Sequence, residues 1–209
     1  MVAFGWPFIL SNDKKGVKNM EKMGQIEIIC GPMFAGKTEE LIRRANRLEY
    51  AKKKYLVFKP TIDDRYSTTE IVSHSNYRKN SICVKSSEEI FAHLNDDVKA
   101  VIIDEVQFFD DNIINVAEYL ADKGLRVICG GLDCDFKGNP FAIVAELLAR
   151  AESVTKLSAI CNVCGQPATR TQRIIDGQPA YEDDPIILVG ATEAYEPRCR
   201  KCHMVLKRD

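Results

Sequence analysis

The sequence predicts an α/β protein with a parallel sheet covered by helices on both faces. Three observations carry that expectation. Strand-length apolar runs alternate with helical patterns from about residue 24 to 160. Those runs are nearly continuous in apolar residues, as strands buried on both faces are. The first of them leads through a glycine-rich turn straight into a helix, Gln25-Ile-Glu-Ile-Ile-Cys30 followed by Gly31-Pro-Met-Phe-Ala-Gly36-Lys37-Thr38.

The helix after this turn places Leu41, Ile42, Ala45 and Leu48 on one face. Tyr55-Leu-Val-Phe58 reads as a second strand stopped by Pro60, and the polar stretch Asp63 to Asn80 carries at most short strands, near Ile71-Val72 and then Ile82–Val84. Ser86-Ser-Glu-Glu89 has capping-box spacing and predicts a helix through Leu94. Ala100–Ile103 reads as a strand, Asp110–Ala121 as a helix and Leu125–Cys129 as a strand closed by Gly130-Gly131. A helix over Pro140–Arg150 and a strand over Val154–Ile160 complete the series.

After Ile160 the composition changes to cysteine, proline and turn pairs with no helical period, and a boundary is expected there. The organisation is therefore read as an N-terminal extension over 1–23, an α/β domain over 24–160 and a small metal-held unit over 161–209, too short to build much of a core by itself. Met20 and Met23 stand just before the first strand, and the extension is read as a frayed, disordered tail. Its apolar run ends at Ser11 with Lys14, Lys15, Lys18 and Lys22 behind it, the reverse of a secretory leader and half the length of a membrane span, so a cytoplasmic protein with no membrane partner is expected. Twenty-nine Lys+Arg against 30 Asp+Glu leave a net charge of −1 in 209 residues, which removes the global positive field that general nucleic-acid binding needs.

Gly31-x-x-x-x-Gly36-Lys37-Thr38 fits the phosphate-loop pattern in its required strand–loop–helix context, which an ordinary glycine turn would satisfy only by coincidence. Gly31 through Gly36, including Pro32, Met33, Phe34 and Ala35, would turn backbone N–H groups toward a polyphosphate at a helix N-terminus. Lys37 would meet the β/γ-phosphates and Thr38 would ligate Mg²⁺. Asp104 and Glu105 end a strand at the edge where open α/β sheets bind ligands. Asp104 is assigned to Mg²⁺; Glu105, which strand alternation should turn elsewhere, is the candidate base or water-positioner. Taken alone the pair could equally be a helix cap.

Cys161-x-x-Cys164 and Cys199-x-x-Cys202 form two knuckles 34 residues apart, four sulfurs suited to a structural Zn²⁺ with no open position for chemistry. A redox CxxC is the rival reading, and His203 is a possible substitute ligand. The other cysteines read as buried spectators. Phe108 and Phe109 follow the acidic pair, and Phe136 and Phe141 follow Gly130-Gly131, at the same rim as the phosphate loop. Core packing is the default for each, Phe109 and Phe141 especially, yet such a rim can also stack a planar acceptor. Residue chemistry alone thus gives a phosphoryl-transfer protein whose acceptor is small and aromatic, with water as an open alternative.

Gly31-Pro-Met-Phe-Ala-Gly-Lys-Thr-Glu-Glu-Leu41, Asp104-Glu-Val-Gln-Phe-Phe109, Gly131-Leu-Asp-Cys-Asp-Phe136 and the two CxxC pairs together resemble the cytosolic (type II) thymidine kinase family with its RecA-like fold, from about Gln25 to His203. The resemblance implies ATP-dependent phosphorylation of thymidine, and of deoxyuridine, at the 5′-hydroxyl, under a zinc-anchored lasso. It implies Glu105 as the base and Lys37, Thr38 and Asp104 as the ATP and magnesium residues. Phe108 and Phe136 would line the base pocket together with Leu132 and Phe141, Met33 and Thr171 would meet the thymine end, and Leu188, Gly190 and Tyr195 would close the lasso. Arg65 corresponds to the family's basic contact at the reacting phosphate. A homotetramer and feedback inhibition by dTTP are implied too. Thr38 departs from the Ser of some members, and residues 1–23 match nothing in the pattern. Two rival classes compete: a RecA-like ATPase with a zinc ribbon acting on nucleic acid, whose expected basic stripe is missing, and a zinc-ribbon interaction module with a vestigial nucleotide site.

Overall fold

The computed structural model describes residues 24–61, 70–72, 78–186 and 193–208. Residues 1–23, and with them the expected disordered extension, lie outside the described residues, as do Arg65, Leu188 and Gly190. In chain order the elements are β1 (Gln25–Cys30), α1 (Lys37–Tyr50), β2 (Lys54–Pro60), β3 (Glu70–Val72), β4 (Arg78–Asn80), β5 (Ile82–Val84), β6 (Val98–Ile103), α2 (Ile113–Asp122), β7 (Arg126–Gly131), α3 (Ala142–Arg150), β8 (Ser153–Lys156), β9 (Ala159–Ile160), β10 (Pro167–Ala168), β11 (Arg170–Ile175), β12 (Gln178–Pro179) and β13 (Glu193–Arg198). Short 3₁₀ turns occupy Ser87–His93 and Val106–Phe108.

The principal sheet has the order β5-β2-β6-β7-β1-β8, and every pairing in it is parallel. Alternation along each strand divides the core in two. Ile29 of β1, Val57 of β2, Ala100 and Ile102 of β6 and Ile128 of β7 face α1, which buries Leu41, Ile42, Ala45 and Leu48 against them. Ile26, Ile28, Val101, Ile103 and Val127 point the other way, onto α2 and α3. Each fully buried aliphatic side chain contributes about 1.5–3 kcal/mol, so these strands have no solvent-facing option. The α/β architecture expected from the sequence is the one observed.

Glu27 interrupts the apolar face toward α1. It is buried and ion-paired with Arg44 of α1 and Arg126 of β7. Burial alone would raise its carboxyl, but hydrogen bonds from Arg126 and Gln25 and the charges of both arginines hold it below the ordinary carboxylate range.

Two local expectations change. The capping-box segment forms a seven-residue 3₁₀ turn rather than an α-helix, because Ser86 makes no side-chain cap and Glu89 instead accepts a hydrogen bond from Lys85 N at 2.9 Å. The strand expected over 154–160 is divided: β8 joins the main sheet, and β9 pairs antiparallel with β10. The segment after Ile160 is antiparallel sheet, β12-β11-β13, with β11 and β13 in register from Arg170↔Arg198 to Ile175↔Glu193. Among the described residues no helix is long and apolar enough to cross a membrane.

Candidate active site

The parallel strands present their C-terminal ends to one edge, and the loops after β1, β6 and β7 converge there, as open α/β sheets require. At the β1 end, Gly31 has φ +149°, and a Cβ on it would sit 2.5 Å from the Leu157 carbonyl oxygen, so only glycine lets the loop press against the chain leaving β8. Leu157 N–H donates to Cys30 O at 2.7 Å from the same side. Phe34 and Gly36 are both left-handed, at φ +64° and +84°, which curls the loop before α1 begins at Lys37.

Lys37 is largely buried and donates to Pro32 O at 2.7 Å across the loop. Burial depresses its ammonium pKa, while the carboxylates of Glu105, Asp104 and Asp133 pull it back up. Asp104 lies at the end of β6, where its N–H bonds Phe58 O at 2.9 Å. Burial, reinforced by the Glu105 charge, pushes its carboxyl up to about 7, against Lys59, the Glu105 N–H and Lys37. This is an aspartate that lacks a full complement of positive partners.

Glu105 diverges from Asp104 for a reason the sequence reading misses. The strand ends at Ile103, and Glu105 is left-handed at φ +53° and ψ +42°, so a sharp turn, not strand alternation, aims it into the cleft. Its Oε2 accepts a hydrogen bond from Gln107 Nε2 at 2.6 Å, and Gln107 Oε1 in turn accepts from Leu132 N at 3.0 Å. Gln107 thereby ties the acidic turn to the loop after β7. A Cβ at position 131 would lie 2.6 Å from Gln107 Oε1, so Gly131 makes room for this bridge.

A cavity of about 400 Å³ opens over these groups. Of the phosphate-loop residues, Met33, Phe34, Gly36, Lys37 and Thr38 line it, together with Glu105. Phe108, Leu132, Phe136, Phe141, Thr171 and Tyr195 form the rest of the expected lining. Gly31, Pro32, Ala35 and Asp104 do not line the cavity: the first three belong to the loop, and Asp104 is buried. Phe108 and Phe141 meet edge to face with centroids 6.1 Å apart, whereas Phe109 is 8% exposed and belongs to the core. Thr171 Oγ1 accepts the Met33 N–H at 3.0 Å, a direct tie between the two residues assigned to one end of the acceptor.

Sequence reasoning missed Glu39, Cys134, Asp135 and Ile186 in the lining. It also missed Gln107, whose role depends on Leu132, 25 positions away. The adjacent Gly131-Leu132 was the available signal, since a glycine beside a strand end marks a close approach.

The four cysteine sulfurs lie within 4.8 Å of one another, with Cys164 and Cys199 at 3.6 Å. A tetrahedron with Zn–S of about 2.3 Å has edges of about 3.8 Å, so the set fits a structural zinc. Each knuckle closes on its own backbone, Gly165 N to Cys161 O at 2.9 Å and Cys202 N to Cys199 O at 3.1 Å. Although burial opposes it, N–H groups of Cys199, Val163 and Cys164 hold the Cys161 thiol down at about 6, while Cys199 and the other sulfurs push Cys202 up to about 12. Four thiolates this close need a cation to coexist. His203 is outside the cluster: its Nε2 is 2.8 Å from Phe136 O, and since a carbonyl only accepts, that nitrogen carries a proton and is no zinc ligand.

Fold and loop define a phosphate-loop α/β protein. The thymidine kinase family model matches residues 24–203, and the chain belongs to that family. Membership in that family supports a kinase that phosphorylates a nucleoside. Among solved structures, domain III of the Thermotoga maritima replication initiation protein DnaA is similar at 14% identity and a TM-score of 0.40, over 68% of this chain and 57% of that one.

Proposed function

We propose that this protein transfers the γ-phosphoryl group of ATP to the 5′-hydroxyl of thymidine, and of deoxyuridine, in pyrimidine salvage. The observation that carries the reading is that Lys37 of the phosphate loop and Glu105 line the same cavity as the aromatic pair Phe108 and Phe141. The loop backbone and Lys37 hold the β/γ-phosphates, and Glu105 accepts the 5′-hydroxyl proton as that oxygen attacks phosphorus. Gln107 fixes one Glu105 oxygen, leaving the other for the sugar. Thr38 and Asp104 would hold Mg²⁺, which neutralises developing phosphate charge when bound, and the high affinity of Asp104 for a proton fits a site designed for a cation. Arg65 is assigned to the reacting phosphate.

Phe108, Phe136, Phe141 and Leu132 form the walls for the base, and Met33 and Thr171 its methyl end. Leu188, Gly190 and Tyr195 belong to a flap over the nucleoside, in a C-terminal unit over 161–209 that zinc on Cys161, Cys164, Cys199 and Cys202 holds to the 24–160 kinase domain. Backbone contacts to a base edge reject a wrong pattern strongly, whereas a methyl pocket discriminates by only about 1–3 kcal/mol. The same reading includes a cytoplasmic homotetramer inhibited by dTTP. A phosphotransfer panel of ATP against thymidine, deoxyuridine, deoxycytidine and deoxyguanosine tests it. Turnover of the first two with little of the others is expected, and ATP hydrolysis stimulated by single-stranded DNA but not by thymidine would overturn it in favour of the nucleic-acid ATPase.

A further inference from the structure

Phe136 is anchored from three directions, and none of the anchors is explained by stacking on a base alone. It sits in the tight Cys134–Pro140 loop, where Asp135 Oδ1 accepts N–H bonds from Lys137 and Asn139, both at 2.9 Å, and Asp135 N reaches Asn139 O at 2.9 Å. Its ring is 4% exposed and has the Arg173 guanidinium 5.1 Å from the centroid. Arg173 is fully buried and also donates to Pro185 O. The Phe136 carbonyl receives the Nε2–H of His203.

His203 is itself held at both flanks. Its N–H bonds Cys199 O at 3.0 Å inside the second cysteine knuckle. The next residue, Met204, makes a reciprocal pair with Gln172 of β11, Met204 N to Gln172 Oε1 and Gln172 Nε2 to Met204 O, both 2.8 Å. The imidazole is therefore a short strut from the knuckle to the pocket wall.

We propose that His203 is a positioning residue for nucleoside binding: by donating from Nε2 to the Phe136 carbonyl it transmits the geometry of the four-cysteine knuckle to the aromatic wall of the acceptor pocket. This rests on the function proposed above. It assigns His203 no part in holding metal or moving protons, and it separates two effects that a cysteine variant would merge, loss of the metal and loss of the wall. Arg173 acts on the same side chain from β11.

The test is calorimetric titration of thymidine, and separately of ATP, into the zinc-replete full chain and its His203 variants, with zinc measured in each. His203→Ala should keep one zinc per chain, raise the thymidine Kd by about 3–10-fold, the range for the net contribution of one hydrogen bond, and leave the ATP Kd within about twofold. Glutamine puts an amide N–H where Nε2 stood and asparagine does not, so His203→Gln should restore thymidine affinity and His203→Asn should not. Unchanged thymidine affinity in His203→Ala, equal weakening toward ATP, loss of zinc, or rescue by asparagine but not glutamine would each overturn the proposal. A wild-type chain that binds ATP but no pyrimidine nucleoside would overturn the function reading, and this inference with it; wild-type binding that His203→Ala leaves intact overturns this inference alone.

Discussion

The wall of the cleft that carries Lys37 is backbone drawn tight against a parallel sheet, whereas the wall that carries Phe136, Thr171 and Tyr195 depends on side chains supported by a small antiparallel sheet and a cysteine cluster. The first wall is set by positions where one residue type fits, such as Gly31 against Leu157 O. The second is set by cross-links between distant segments: Thr171 to Met33, His203 to Phe136, Arg173 to Pro185. On the proposed function, phosphate recognition rides on the sheet core, and acceptor recognition on parts that can be adjusted separately.

The sharpest way to break this division is at its meeting point. Glu105→Gln should lower kcat by roughly 10²–10⁴-fold while the ATP Kd stays near wild type, because the loss is of a base and not of the phosphate wall. Steady-state kinetics with ATP titration check this, and an unchanged kcat clears Glu105. Gln107→Leu removes a hydrogen bond to a charged group and should lower kcat by about 10–100-fold, with a rise in thymidine KM because Leu132 N–H loses its acceptor. Cys161→Ser should abolish zinc binding and raise the nucleoside KM more than the ATP KM; full zinc by elemental analysis would refute the four-sulfur assignment.

The smallest effect is thermodynamic. With its folded carboxyl near 7 and an ordinary value of 3.8, Asp104 keeps its proton between about pH 4 and 7 while the unfolded chain releases it, so the folded state loses stability as pH rises through that window. Without nucleotide or Mg²⁺, Asp104→Asn should raise Tm at pH 8 by about 2–8 °C, and the gain should vanish toward pH 4. A gain that is the same at both pH values would remove the ionised carboxylate as its cause.

The two walls also differ in how far the sequence discloses them. Gly31–Thr38 is legible because glycine, lysine and threonine are each required at fixed spacing, and β1, β6 and β7 because burial on both faces demands unbroken apolar runs. The cysteine knuckles are legible for the same reason of local spacing. Gln107, His203 and Arg173 are not, since each acquires its partner from another element: Gln107 from Leu132, His203 from Phe136, Arg173 from Pro185. Glu105 was identified by type and position, but its aim comes from a left-handed turn that no residue preference announces. Ser86 shows the converse: a correct capping spacing whose side-chain cap is not made, Glu89 accepting from Lys85 N instead.

The most direct measurement follows labelled phosphate. With γ-labelled ATP, Mg²⁺, thymidine and the zinc-replete protein, the label should appear on the 5′-oxygen of thymidine, identified by phosphorus NMR and mass. Label released as inorganic phosphate while thymidine is recovered unchanged would contradict the account.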